Sequence, residues 1–200
     1  MGTYPTKWRP YMQAVKNGDL AMDAGVNRFA ARYRMARQLR EVSFEGISEK
    51  AQAGYTTGLR LSLAYAALDA LETAIDSRLG STLMPSADLS GRLRSSRSAA
   101  LQEALRSPSA STRLGQRIQT LLSSPDHQDV RPAVERLRHV FVHGEFTPYG
   151  SGLATSVWIK RLVDDLAIET LAASDRRFTE WARASNDPPE SDESTRVLPI

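Results

Sequence analysis

The sequence predicts an all-α protein, a helical bundle of four main helices plus short ones. Three observations carry that expectation. No run of β-branched residues alternates with polar ones over the roughly four to eight positions of a half-buried strand. Long stretches instead place apolar residues three and four apart, as in Leu61, Tyr65, Leu68, Leu71 or Glu72, and Ile75. Between those stretches, Gly, Pro and Ser fall where helices begin and end.

Each element follows in order. Residues 1–18 read as an N-terminal arm, whose Tyr4, Trp8 and Tyr11 are available to pack over the bundle or a neighbouring subunit. Asp19 to about Arg40 forms a first helix, with Leu20, Val26, Phe29, Tyr33, Ala36 and Leu39 near helical spacing. Gly46 breaks it, and Ser48 caps a long second helix opened by Glu49 and Lys50. That helix runs to about Leu79 and stops at Gly80, a residue suited to a left-handed cap. Residues 81–98 are rich in Ser, Gly and Arg, contain Pro85, and read as a mobile connection with room for one helical turn.

Short helices follow at about 98–106 and 110–122, separated by Ser107-Pro108-Ser109. Asp129 marks the next start, and Pro132 is tolerated in a first turn. This helix ends at His143-Gly144, and Pro148 prevents its continuation. Ser151 or Thr155 begins a last long helix to about Ala184. Residues 185–200 form a Pro- and acid-rich tail expected to be disordered. Residues 19–184 are therefore a single helical-bundle domain, and a chain of 200 residues suffices for a real core.

Composition narrows the function classes. Zero cysteines exclude disulfides, thiolate metal sites and cysteine nucleophiles. No apolar run approaches the roughly 20 residues of a membrane span, so no membrane association is expected. The first residues lack the apolar segment of a signal peptide, and a cytoplasmic location is the expectation. The net charge of +3 permits an anionic partner without demanding one. Arginine supplies 22 of the 26 basic residues, and Arg28, Arg32, Arg34, Arg37 and Arg40 wrap around the first helix as a solvated face.

Polar chemistry concentrates in Leu137-Arg138-His139-Val140-Phe141-Val142-His143-Gly144-Glu145, which holds two of the three histidines. On a wheel at about 100° per residue, Val134, Leu137 and Phe141 share the core side. His139 and His143, four residues apart, point away from it one above the other, and Arg138 lies between the two faces. Histidine is the side chain suited to general acid–base work near neutrality. Arginine holds phosphate and stabilises charge in a transition state. Together these groups suit metal-free cleavage of RNA.

Two other readings use the same residues. Arg138 and His143 can cap carbonyls or pair with Glu135 and Glu145 at a helix end. His139 and His143 have a spacing that binds a divalent ion, with Glu135 or Glu145 as third ligand, but they lack the glutamate of a His-Glu-x-x-His zinc enzyme. Asp69 and Glu72 read as a solvated or salt-bridged face, Asp164, Asp165 and Glu169 as surface charge, His127 as a turn residue, and Tyr65 and Trp158 as core.

Arg138-His139-Val140-Phe141-Val142-His143-Gly144 resembles the Arg-x(4–6)-His motif of the HEPN superfamily. In that motif a polar residue commonly follows the arginine and Gly often follows the histidine, as His139 and Gly144 do here. Ala64 to Glu72 resembles the family's apolar second helix with its acidic residue. The resemblance implies a HEPN-like fold over about residues 20–184. It implies a metal-independent endoribonuclease, without cofactor, of toxin–antitoxin or defence type. It implies a homodimer with one composite site, RNA as substrate and an antitoxin protein as a further partner. Arg138 and His143 would be the catalytic pair, with His139 assisting as the intervening polar residue. Arg136 also matches at the longer spacing, Arg-x6-His. Inactive members of the superfamily imply the alternative, an RNA- or nucleotide-binding or dimerisation module.

Overall fold

A computed structural model describes residues 2–75, 83, 88–96, 98–106, 112–144 and 157–186. The described residues form eight helices and no strand. They are α1 (Trp8–Asn17), α2 (Ala24–Gln38), α3 (Glu49–Ala74), α4 (Leu89–Arg94), α5 (Ala99–Arg106), α6 (Thr112–Ser123), α7 (Arg131–Val142) and α8 (Val157–Asn186). None of the described helices is long and apolar enough to cross a membrane.

The starts of α2, α3 and α4 are chemically marked. Asp23 accepts the Val26 amide through Oδ1 at 2.8 Å, which satisfies one of the free donors at the head of α2. Ser48 does the same for α3 by accepting from the Ala51 amide, and Asp88 for α4 by accepting from the Gly91 amide. The expected cap at Ser48 is thus in place. The expected end of that helix at Leu79 and Gly80 lies outside the described residues, which follow it to Ala74 with Ile75 as cap.

α3 is the axis of the bundle and packs against α2, α7 and α8. α2 runs antiparallel to it: Arg32 donates to the Ala66 carbonyl, and Arg60 donates back to the Leu39 carbonyl beyond the end of α2. α7 is antiparallel as well, with Arg131 on Glu72 and Phe141 against Gly58. α8 is parallel to α3, because Arg60 meets Asp164 while Glu72 meets Arg177. α5 and α6 cover the far side of α7, and Arg92 ties α4 to Asp165 of α8.

Three segments depart from the sequence expectation. The first helix, expected from Asp19, starts at Ala24, because the Asp23 side chain caps it there. Within 81–98, expected as a mobile connection with room for one helical turn, residues 88–96 carry the short helix α4, but its Leu89 and Leu93 are fully buried and anchor it to the core. Leu83 is buried too, its amide donating to Asp129 Oδ1 and its carbonyl accepting from the Val130 amide. At the N-terminus, residues 8–17 of the expected arm form α1, and Tyr11 enters the core. Tyr11 and Trp8 both pack on Phe178 of α8, which also touches Phe29 and Trp181. The tail from 187 and the expected helix start at Ser151 or Thr155 lie outside the described residues.

Tyr33 sits in this core beside Phe29. Burial, reinforced by the nearby Asp175 charge, pushes its phenol up to about 12. A raised folded value means that the stabilisation is fully present below the unfolded value near 10 and is lost as pH rises through the folded one. We therefore expect the urea midpoint of the wild type to fall between pH 10 and about 12, and Tyr33→Phe to fall less over that window. Equal slopes for the two proteins would refute this.

Candidate functional site

The site grows from the C-terminal half of α7. Pro132 occupies its first turn, and Asp129 Oδ1 accepts the Arg131 amide at 3.0 Å. The helix stops at His143, whose amide still reaches the His139 carbonyl at 3.0 Å. Gly144 follows with φ of 71°, a conformation that glycine adopts without steric cost. The expected end at His143-Gly144 is the observed one.

Burial around α7 is wider than the sequence wheel suggested. Val134 and Leu137 face the core as expected, but Ala133, Arg136 and Val140 are also buried, because α3 encloses one side and α5 and α6 the other. Phe141 is half-buried and lies flat against α3 where Gly58 has no side chain; a Cβ there would stand 2.2 Å from the ring. Tyr55 meets the Phe141 ring edge-on, and Phe44 packs on Tyr55. These contacts fix the end of α7 against the start of α3.

The two histidines come together as their spacing required. Their ring centroids are 4.4 Å apart at 46°. His139 is half-buried and His143 exposed, beside an exposed Val142. Arg138 is half-buried and goes elsewhere: its guanidinium carbon lies 5.4 Å from the centre of the Tyr65 ring, a cation–π contact across the α3–α7 seam. Five residues of helix separate Arg138 from His143 by about 140° around the axis. Among the described residues the guanidinium contacts neither imidazole.

Geometry separates the two arginines that match the motif. Arg136 is 0% exposed, and its Nε donates to the Ala104 carbonyl on α5 at 2.8 Å. It is a structural bolt between helices. Arg138 is the one with access to solvent beside the histidines. Glu135, a possible partner or metal ligand, stands 3.8 Å from Arg117, and Glu145 lies outside the described residues. No group of three or more potential metal ligands gathers among the described residues.

The sequence read Glu72 as part of a solvated or salt-bridged face; the salt bridges are there, but they are buried in this seam. Glu72 is buried, accepts both terminal nitrogens of Arg131 at 2.8 and 2.6 Å, and pairs with Arg177. Burial alone would lower the Arg131 value; hydrogen bonding and charge attraction to Glu72 outweigh it and leave the guanidinium more firmly protonated. Arg131 also stands close enough to Tyr65 for its charge to act on the phenol. Burial, then the Glu135 charge, raises the Tyr65 phenol above its ordinary value, so Tyr65 stays neutral beneath Arg138. Trp158, expected in the core, is 40% exposed, and Asp164, expected as surface charge, binds both Arg60 and Lys160.

No family model, no curated protein and no solved structure matches this chain.

Proposed function

We propose that the C-terminal turn of α7 is half of a metal-independent endoribonuclease site of HEPN type, completed by a second copy of the chain. The observation that carries this reading is the solvent-facing imidazole pair at 4.4 Å on a helix end fixed by Gly144 and Phe141. One imidazole takes the proton of a ribose 2′-hydroxyl. The oxygen attacks the neighbouring phosphorus, the bond from phosphorus to the 5′-oxygen breaks, and a second imidazole protonates that oxygen. Arg138 stabilises the charge of the pentavalent intermediate. Its direction, about 140° from His143, suits a phosphate approached from two chains better than one held by a single helix. A toxin or defence role, with an antitoxin protein as partner, belongs to the same reading.

The test is incubation of the purified wild type with structured and unstructured RNAs in EDTA, with the product ends analysed. We expect 2′,3′-cyclic phosphate and 5′-hydroxyl ends, and a dimer by light scattering. One observation favours a second reading: Arg138 rests on Tyr65 instead of beside the imidazoles, as it could in an inactive RNA- or nucleotide-binding or dimerisation module. Intact RNA throughout would replace the first reading with the second.

A further inference from the structure

Charge is unevenly shared along this chain. Residues 2–40 contain eight basic and two acidic residues. Residues 41–186 balance, with 17 of each sign. Residues 187–193 hold four carboxylates, Asp187, Glu190, Asp192 and Glu193, and no base. The opposite excesses therefore lie at the two ends of the sequence, and an excess of this kind marks a partner of the opposite sign.

The fold brings those ends together. Thr6 bonds Asp175, Trp8 packs on Phe178, and Tyr11 packs on Trp181. α1 and the second half of α8 thus run side by side in the same direction, with residue numbers 169 or 170 apart. Both helices rise about 1.5 Å per residue, so Asn186, where α8 ends, comes level with Lys16 in the last turn of α1. Arg9 and Lys16 lie within about 20° of each other around α1, on an edge that Trp8 and Tyr11 do not use. Both are exposed, and among the described residues no carboxylate is ion-paired with either. Of the two acids in residues 2–40, Asp23 is held by the Val26 amide, and Asp19 lies past the turn at Gly18. The C-terminal ends of α1 and α8 repel an anion, but Lys16 and Arg183 stand in their last turns and offset that.

We propose that residues 187–193 dock on the Arg9–Lys16 edge of α1 in the same molecule. About 10 Å of helix separates Lys16 from Arg9. The stretch from Asp187 to Glu193 reaches about 20 Å when extended, enough to set carboxylates against both. Each pair is between exposed groups and is weak alone. The tether supplies the rest, because a short segment joined beside its target works at an effective concentration in the millimolar range. The docked segment takes the place that an outside anion would occupy, so the chain screens its own basic end. This contact is independent of the chemistry at α7.

The four lysines of the chain test it. Lys7 and Lys16 belong to the α1 end, while Lys50 and Lys160 lie in the first turns of α3 and α8. α3 and α8 are parallel, so the latter two stand at the opposite end of the bundle, Lys160 about 39 Å from Asn186 along α8. A water-soluble carbodiimide joins carboxylates to lysines in contact with them. In the full chain we expect the tryptic peptide Ala184–Arg196 to cross-link to Lys16 and not to Lys50 or Lys160. The yield at Lys16 should fall about threefold or more in 1 M NaCl, where charges are screened beyond about 3 Å. It should fall about two- to fivefold in Arg9→Gln, while Arg113→Gln, an exposed arginine on α6, leaves it unchanged. Circular dichroism verifies that each variant is folded. Without any cross-linker, Asp187→Asn/Glu190→Gln/Asp192→Asn/Glu193→Gln should shift the amide resonances of residues 9–17 and leave those of α6 in place. Equal yields at the four lysines, or a Lys16 yield indifferent to both salt and Arg9→Gln, overturn the proposal. So does a Lys16 cross-link found only between molecules, in a dimer band that grows with protein concentration; that result assigns the segment to a second copy.

Discussion

His143→Ala is expected to lower RNA cleavage by about 10²–10⁴-fold, the usual worth of a positioned acid or base. The side chain is exposed and contributes no core packing, so the variant should unfold within about 0.5 kcal/mol of the wild type. A rate loss without a stability loss is the mark of a chemical role. Arg138→Ala should lose a comparable factor, about 10²–10³, because a guanidinium aimed at developing charge contributes mainly in the transition state. Arg138→Lys should restore little, since an ammonium cannot reproduce the planar fork. If both proton transfers use imidazoles, the wild-type rate follows a bell-shaped pH profile, and His143→Ala removes one limb of it. Wild-type rates in His143→Ala would place the chemistry elsewhere.

Glu72→Ala should cost about 3 kcal/mol of folding stability. The substitution strands two guanidinium groups in the seam where α3, α7 and α8 meet. Breaking a buried ion pair from one side is costly because the remaining charge stays desolvated. Glu72→Gln, which keeps the acceptor oxygen, should lose less. Urea unfolding measures the total, and amide exchange at residues 131–135 should show the first turn of α7 loosening before the rest. A change within 0.5 kcal/mol for Glu72→Ala would mean that Arg131 and Arg177 are satisfied without it.

The helical class and several boundaries were legible because their determinants are local. Ser48 begins α3 and Gly144 follows α7 through contacts spanning only a few residues. The opposed directions of the histidines and the core side of α7 followed from helix geometry alone. Burial of a polar group depends on a distant partner and left no local trace. Nothing beside Arg136 in the sequence marks it as buried; the Ala104 carbonyl that receives it comes from α5. Glu72 sits at a stripe position that an apolar residue could fill, and its two arginines come 59 and 105 residues later. Arg138 could swing to either side on the wheel, and Tyr65 decides which side it takes. Trp158 followed the helical spacing, but it lies in the first turn of α8 and is exposed.

The aromatic core shared by α1 and α8 governs the order of assembly. Thr6 and Asp175 are 169 residues apart in sequence, and Trp8 and Tyr11 rest on Phe178 across a similar distance. Helical bundles fold quickly when their contacts are local; a contact that closes nearly the whole chain slows the final step. α1 therefore cannot settle when it is first synthesised. Until the second half of α8 is available, Trp8, Tyr11 and Phe29 have no common ring to pack against, and a nascent chain exposes them. We therefore expect the N-terminal segment alongside α2 to be among the last parts of the molecule to lock, although it is the first to be made.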